Sequence, residues 1–299
     1  MSEADGSIHT SAVIAPDALI HPTATIGEGV MVESGVIVGA HCSVGRATRL
    51  RARCVIVQHT TLGEQNDVHP FAVLGGDPQD RAYNPETPGR LVIGDRNQFR
   101  EGVTVSRGTA PGPDTVIGDE NMLMAQSHIG HNCRVGSNNT FGNGASLAGH
   151  VHMGDRNTLS GFAMVHQFTN VGDLTMFQGG AGVGMHVPPF VIVTAAARNT
   201  LAGLNIIGLR RTPGFGDDDR REVKDLYRRL FRDRGAKPLR PMLDEIAGGD
   251  LTSAGRRFVD FCVDAMNPEN PRRARGLCSA RTGAKFESDG AGGQTFSDA

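Results

Sequence analysis

The stretch VESGVIVGAHCSVGRATRLRARCVIVQHTTLGEQNDVHPFAVL, residues 32–74, carries a branched aliphatic at every sixth position: Val32, Val38, Val44, Leu50, Ile56, Leu62, Val68 and Leu74. The beat extends back to Ile14, returns at Ile93, Phe99 and Val105, and then runs from Ile117 to Val183. A six-residue period fits no helix, whose apolar stripe repeats every 3.6 residues. It is a multiple of the strand period of two, so each unit returns its marked residue to the same face. The pattern predicts a parallel β-solenoid of hexapeptide repeats. Each hexad is a short strand and a bend, and the glycine that often follows the beat (Gly27, Gly39, Gly63, Gly136) is expected to supply positive φ there. Three hexads close a triangular coil, so residues eighteen apart stack about 4.8 Å from one another.

Working outward, residues 1–10 are polar and read as a flexible leader. The solenoid domain spans 11–212, with two interruptions expected as expelled loops: GGDPQDRAYNPETPGRL (75–91) and RGTAPGPD (107–114). The beat stops at Pro188-Pro189. Residues 213–267 change to a small α-helical C-terminal domain. Asp217–Asp219 are set to cap a helix with apolar face Val223, Leu226, Tyr227, Leu230 and Phe231, and a short helix over Leu239–Ile246 follows. Thr252 or Ser253 caps the last helix. Residues 268–299 are poor in apolar side chains and read as a disordered tail. The formal charge of −2 carries no nucleic-acid signature. Five cysteines without paired spacing read as reduced thiols, and no apolar run approaches the ~20 residues of a membrane span. A soluble, cytoplasmic protein is expected.

Six of the eleven histidines fall in 117–186: His128, His131, His150, His152, His166 and His186. His131, His150 and His166 are spaced near one coil, which predicts a column along one edge. The core positions are already filled by the beat, so such a column is either solvated or functional. Metal binding is disfavoured, because His128 and His131 point to opposite faces and only Cys133 is near. A non-catalytic scaffold would need neither expelled loops nor a helical domain. Acyl transfer with a histidine base fits better: neutral imidazole is available near pH 7, and a glycine beside the column, Gly149, leaves backbone N–H approachable by an oxyanion.

The stretches QDRAY (79–83), IGDRN (93–97), RE-x-VT (100–104), RGT (107–109), HIGHNC (128–133), LAGHV (147–151), VHQF (165–168), VPPF (187–190) and NIIGLRR (205–211) occur in one order. Together they resemble the UDP-N-acetylglucosamine O-acyltransferase family, which begins lipid A synthesis, over about residues 13–266. The resemblance implies a left-handed parallel β-helix, a homotrimer with active sites between subunits, and no metal or redox cofactor. It implies transfer of a 3-hydroxyacyl group from acyl carrier protein to the 3-hydroxyl of UDP-N-acetylglucosamine. By the family pattern His131 is the general base, Asn132 its orienting partner and Gly149 the oxyanion N–H donor. His128, His150, His166 and Gln167 match contacts to sugar nucleotide or acyl-pantetheine, Gln79 and Asp80 the loop reaching the sugar, and Asn205 and Arg211 groups near the nucleotide and phosphates. Gly179 falls where the acyl chain is measured, and a glycine there implies room for a longer chain. Three positions depart from the pattern: Asn132 stands for aspartate, Ala82 for a loop lysine and Ile207 for a polar residue. Asn132 also resembles the related N-acyltransferase acting on a UDP-amino-sugar, and a degenerate paralogue serving as a binding protein is the third reading. The arginines of 220–240 are either a solvated face or a steering surface for acidic acyl carrier protein.

Overall fold

The computed structural model describes residues 6–267 and 275–280. Twenty-six short strands, β1 (Val13–Ile14) to β26 (Gly182–Val183), follow one another, and each carries one beat residue. They stack in three parallel sheets that form the faces of a prism: β1-β4-β7 onward (sheet 1), β2-β5-β8 onward (sheet 2) and β3-β6-β9 onward (sheet 3). Register pairs such as Val32↔Leu50 and Ile129↔Leu147 are separated by the expected eighteen residues. Pairing across the first interruption jumps to thirty-one (Val68↔Phe99) and across the second to twenty-four (Phe99↔Leu123), so both segments leave the coil and the beat resumes in register, with one irregularity between Leu74 and Gly76 where the first loop departs. The beat residues are buried from Ile26 onward, and each stabilises the core by about 1.5–3 kcal/mol.

The bends differ from expectation in one respect. Positive φ falls three residues after the beat, not one, and sixteen of those positions hold residues other than glycine, among them His41, His59, Asn132, His150 and Phe168. Each costs about 1 kcal/mol or more, which burial of the hexad's aliphatic offsets. The glycine after the beat serves closeness instead. A Cβ on Gly94 would lie 2.1 Å from Asp119 Oδ1, and one on Gly136 2.1 Å from Asp155 Oδ1. Those carboxylates accept the N–H of the residue after the glycine, Asp95 and Ser137 respectively. The asparagine two residues further on builds a second, buried ladder: Asn66, Asn97, Asn121, Asn139 and Asn157, each Oδ1 accepting the backbone N–H of the next coil. The recurrent G-D-x-N of 94–97 and 118–121 is therefore a corner device. Asn121→Leu would orphan two buried donors, the N–H and the side-chain amide of Asn139, while Asn97 Oδ1 keeps the backbone N–H of residue 121. We expect a loss of about 2–4 kcal/mol, read as a lowered midpoint in thermal unfolding.

Past Pro188-Pro189 the stack continues briefly. β27 (Val191–Val193) pairs with β25 (Met176–Phe177), and β28 (Thr200–Leu204) turns back antiparallel to it. Helices α1 (Ile206–Arg211), α2 (Asp217–Tyr227, extended by a π-helical turn Arg228–Arg232), α3 (Leu239–Ala247) and α4 (Ser253–Ala265) follow. Thr252 caps α4 as expected, whereas the three aspartates form the first turn of α2 and Gly216 is its cap. Two segments are more ordered than their composition implied. Ser7 and His9 hydrogen-bond Ile26 from the leader. At the other end, β29 (Ser279–Ala280) pairs with β28, and Cys278 N–H donates to the His186 carbonyl; Val187, Leu201 and Cys278 are buried there together with His186. The rest of the tail expected beyond residue 267 lies outside the described residues. All five cysteines are buried thiols outside any disulfide, and burial pushes the Cys54 and Cys278 thiols up to about 12. No helix among the described residues is long and apolar enough to cross a membrane.

Candidate active site

Both expelled loops leave the coil at the edge between sheets 2 and 3, the first between β11 (Val73–Gly76) and β12 (Leu91–Ile93), the second between β14 (Thr104–Ser106) and β15 (Thr115–Ile117). The histidine column turns the same edge. The His128↔Ser146↔Met164 register aligns His131 with Gly149 and Gln167, and Asn132 with His150 and Phe168. The His131 and His150 rings meet edge-on with centroids 5.1 Å apart, and His150 stacks on Phe168 at 4.6 Å. His166 occupies the same edge and is exposed. The spacing also held a signal that sequence reasoning passed over. His41 and His59, eighteen apart, stack at 5.1 Å on this edge below the loops.

His131 is 9% exposed, and its Nδ1 lies 2.7 Å from Asn132 Oδ1. Its other nitrogen faces Gly149, where an added Cβ would sit 2.5 Å from Nε2. The Gly149 N–H donates to no protein acceptor among the described residues. One basic nitrogen and one unengaged N–H thus share a spot at the prism edge, which is what an attacking hydroxyl and a developing oxyanion require. Gly149→Ala is expected to displace the imidazole and lower kcat/KM by about 100-fold or more. A crystal structure of the variant would show the ring rotated away from the edge. His128 projects from β17 (His128–Ile129), its Nδ1 2.8 Å from Thr104 Oγ1. Burial pushes its imidazole below the ordinary value, opposed by the Thr104 contact and aided by His131, so it faces the site uncharged at neutral pH.

The first loop is anchored by a residue the sequence did not single out. Arg107, 1% exposed, donates to the Gly75 carbonyl and to Tyr83 Oη, both at 2.8 Å, and pairs with Asp77 at 2.5 Å. Gln79 and Asp80 ride this loop exposed, and Asp80 Oδ1 accepts from Ala82 N–H. Gly179 is exposed, with Gly161 O the nearest atom to an added Cβ at 3.6 Å, so the surface there is open. Asn205 caps α1: its Oδ1 accepts from Gly208 N–H and its Nδ2 donates to the Leu174 carbonyl. Arg211 ends that helix, exposed. Five of the helical arginines, Arg220, Arg221, Arg228, Arg229 and Arg240, are paired with acids, which favours the solvated reading of that face. Concavities of about 570 and 380 Å³ lie on the helical domain and between sheet 3 and α4, and neither reaches His131. Among the described residues no three His, Cys, Asp or Glu side chains cluster as metal ligands.

Residues 186–278 match the family model described as UDP-N-acetylglucosamine O-acyltransferase, domain 2, and 114–149 match the bacterial transferase hexapeptide model. The chain is 41% identical over 195 residues to the acyl-[acyl-carrier-protein]–UDP-N-acetylglucosamine O-acyltransferase of Burkholderia mallei, covering 64% of this chain and 73% of that one. The chain belongs to the UDP-N-acetylglucosamine O-acyltransferase family. The solved structure of UDP-N-acetylglucosamine acyltransferase from Francisella novicida superimposes with a TM-score of 0.75 at 32% identity, over 93% of this chain and 95% of that one. The enzyme from Campylobacter jejuni gives 0.75 at 29% identity, over 92% and 100%. The prism of this acyltransferase-family chain is a left-handed parallel β-helix with a helical C-terminal domain. The domain-2 match takes in residues 275–278, so the ordered return of the chain after α4 lies within the family's own boundary.

Proposed function

We propose that this protein transfers a 3-hydroxyacyl group from acyl carrier protein to the 3-hydroxyl of UDP-N-acetylglucosamine. His131 Nε2 takes the hydroxyl proton as the oxygen attacks the thioester carbonyl. The Gly149 N–H receives the oxyanion, and collapse of the tetrahedral intermediate expels the pantetheine thiolate, which recovers the proton from the imidazolium. The observation that carries this reading is the contact between Nε2 and the Gly149 backbone, with Nδ1 already engaged by Asn132. Gln79, Asp80, His128, His150, His166, Gln167 and Arg211 hold the two substrates along the edge, and the acyl chain runs over Gly179. No metal or redox group takes part.

A prism edge is open on its outer side, so a second wall has to come from elsewhere. We assign that wall to neighbouring copies in a homotrimer. Met164 on sheet 2, and Phe71 and Phe162 at the edge between sheets 1 and 2, are 54%, 59% and 68% exposed and offer apolar surface across sheet 2 from the histidine edge for such contact. Acyl carrier protein and a nucleotide sugar are cytoplasmic substrates, and the protein acts there. The test is incubation of purified protein with UDP-N-acetylglucosamine and acyl-carrier-protein thioesters of graded chain length, followed by mass spectrometry. A singly O-acylated nucleotide sugar is the expected product. Acylation of a UDP-amino-sugar alone would replace this reading with the N-acyltransferase one, and no product from any donor would leave a binding role.

A further inference from the structure

We infer that the second loop, Arg107–Asp114, sets the tautomer of His131 through the carbonyl of Pro113 and the amide of Asn132. The argument is one of donors and acceptors. A backbone carbonyl can only accept, so the side-chain group that meets Pro113 O has to donate, and it is Asn132 Nδ2. That orientation turns Asn132 Oδ1, an acceptor, toward His131 Nδ1 at 2.7 Å. The imidazole must then carry its proton on Nδ1. Neutral imidazole has a single N–H, so the lone pair is left on Nε2, beside Gly149. Reversing the amide would bring oxygen against oxygen at Pro113, and a donor would then face His131 Nδ1.

The relay is held at each joint. The Asn132 N–H donates to Thr115 Oγ1 at 2.8 Å, and its backbone sits at φ 58°, a conformation asparagine tolerates better than most residues. Proline restricts its own φ, which narrows the directions its carbonyl can take. The following residue, Asp114, is tied to Arg90 by an ion pair at 3.0 Å, and the loop's first residue is the buried Arg107. The loop thus does more than bulge from the coil; it fixes which nitrogen of the base is available.

Asn132 acquires a meaning from this. It is not a weakened aspartate. A carboxylate in its place would set a second acceptor against the Pro113 oxygen, and the relay would lose the bond that orients it. In a serine-protease triad the wrong histidine tautomer costs about 10⁴-fold in kcat.

The tautomer of His131 can be read directly, without substrate, by nitrogen–proton correlation NMR of the full-length protein, with His131→Gln supplying the assignment. Wild type is expected to show Nδ1 protonated and Nε2 bare at neutral pH. Asn132→Leu, which cannot accept, is expected to move the proton to Nε2 and to lower kcat/KM by about 100-fold or more. Asn132→Asp is expected to be at least about 10-fold less active than wild type despite its added charge. Nε2–H in the wild type, an unchanged tautomer in the folded Asn132→Leu protein, or an Asn132→Asp variant as active as wild type would each overturn the inference. The activity arms rest on the proposed role of His131, but the spectroscopic arm does not. Nδ1–H that shifts in Asn132→Leu, in a protein that acylates nothing, would uphold the relay and discard the transfer reaction.

Discussion

His131→Ala is expected to lower kcat by about 10³-fold or more and to leave the fold in place. The two halves of that statement have separate physical grounds. The imidazole places Nε2 at the Gly149 backbone, while His128 points out of sheet 2 toward Thr104 and His150 stacks on Phe168. Its contribution to stability is small, because it packs at a prism edge and not among the aliphatics that fill the interior. Removing it leaves Asn132 still bonded to Pro113 and Thr115, so the turn keeps two of its three anchors. The check is a single-turnover assay beside thermal unfolding. A variant that turns over normally would take His131 out of the mechanism, and one that unfolds early would make its role structural.

Arg107→Ala is expected to be the most destabilising single change at the site. Its guanidinium is buried and holds the Gly75 carbonyl, Tyr83 Oη and Asp77. Asp77 is 63% exposed and stays solvated without its partner, so the cost lies in the buried Gly75 carbonyl and Tyr83 Oη left without their donor, about 1–3 kcal/mol each, whereas an exposed pair such as Arg46–Glu64 is worth about 1 kcal/mol or less. The loss is local in origin. Gln79 and Asp80 lie between Asp77 and Tyr83, so the substrate-facing segment is freed together with its anchor. KM for the sugar nucleotide should rise by about 10-fold or more while the solenoid keeps its coils. Thermal unfolding should begin lower, and limited proteolysis should cut first between residues 77 and 90. A variant that keeps wild-type KM and cleavage pattern would show that the loop stands on its own contacts.

Much of this was legible in the chain, and some was hidden for identifiable reasons. All twenty-six beat residues lie in strands, because a strict six-residue recurrence of aliphatics has one compact solution, a coil with one inward residue per side. The column of His131 and His150 follows from the same arithmetic. His41 and His59 obey it too and were passed over, since the loops that separate them from the column break the count of eighteen. The glycine after the beat was read as a bend residue, although its neighbours on the next coil, invisible in one dimension, are what exclude a side chain. Arg107 sits one residue past a strand and looks like any surface arginine until the loop folds over it.

The sequence by itself determined the three-hexad coil and brought His131 and His150 to one edge, because these depend on the six-residue period alone; the role of His131 as base is what the family resemblance implies. The tertiary structure decided which partners those residues keep. That Asn205 caps a helix, whether residues 275–280 hang free or pair with β28, and which way the Asn132 amide points are set by contacts between positions up to 93 residues apart, such as Thr200 with Ser279 at 79 and Cys278 with Met185 at 93. Hydrogen bonds are directional and saturable, so a polar group's role is fixed only when every donor and acceptor around it is in place.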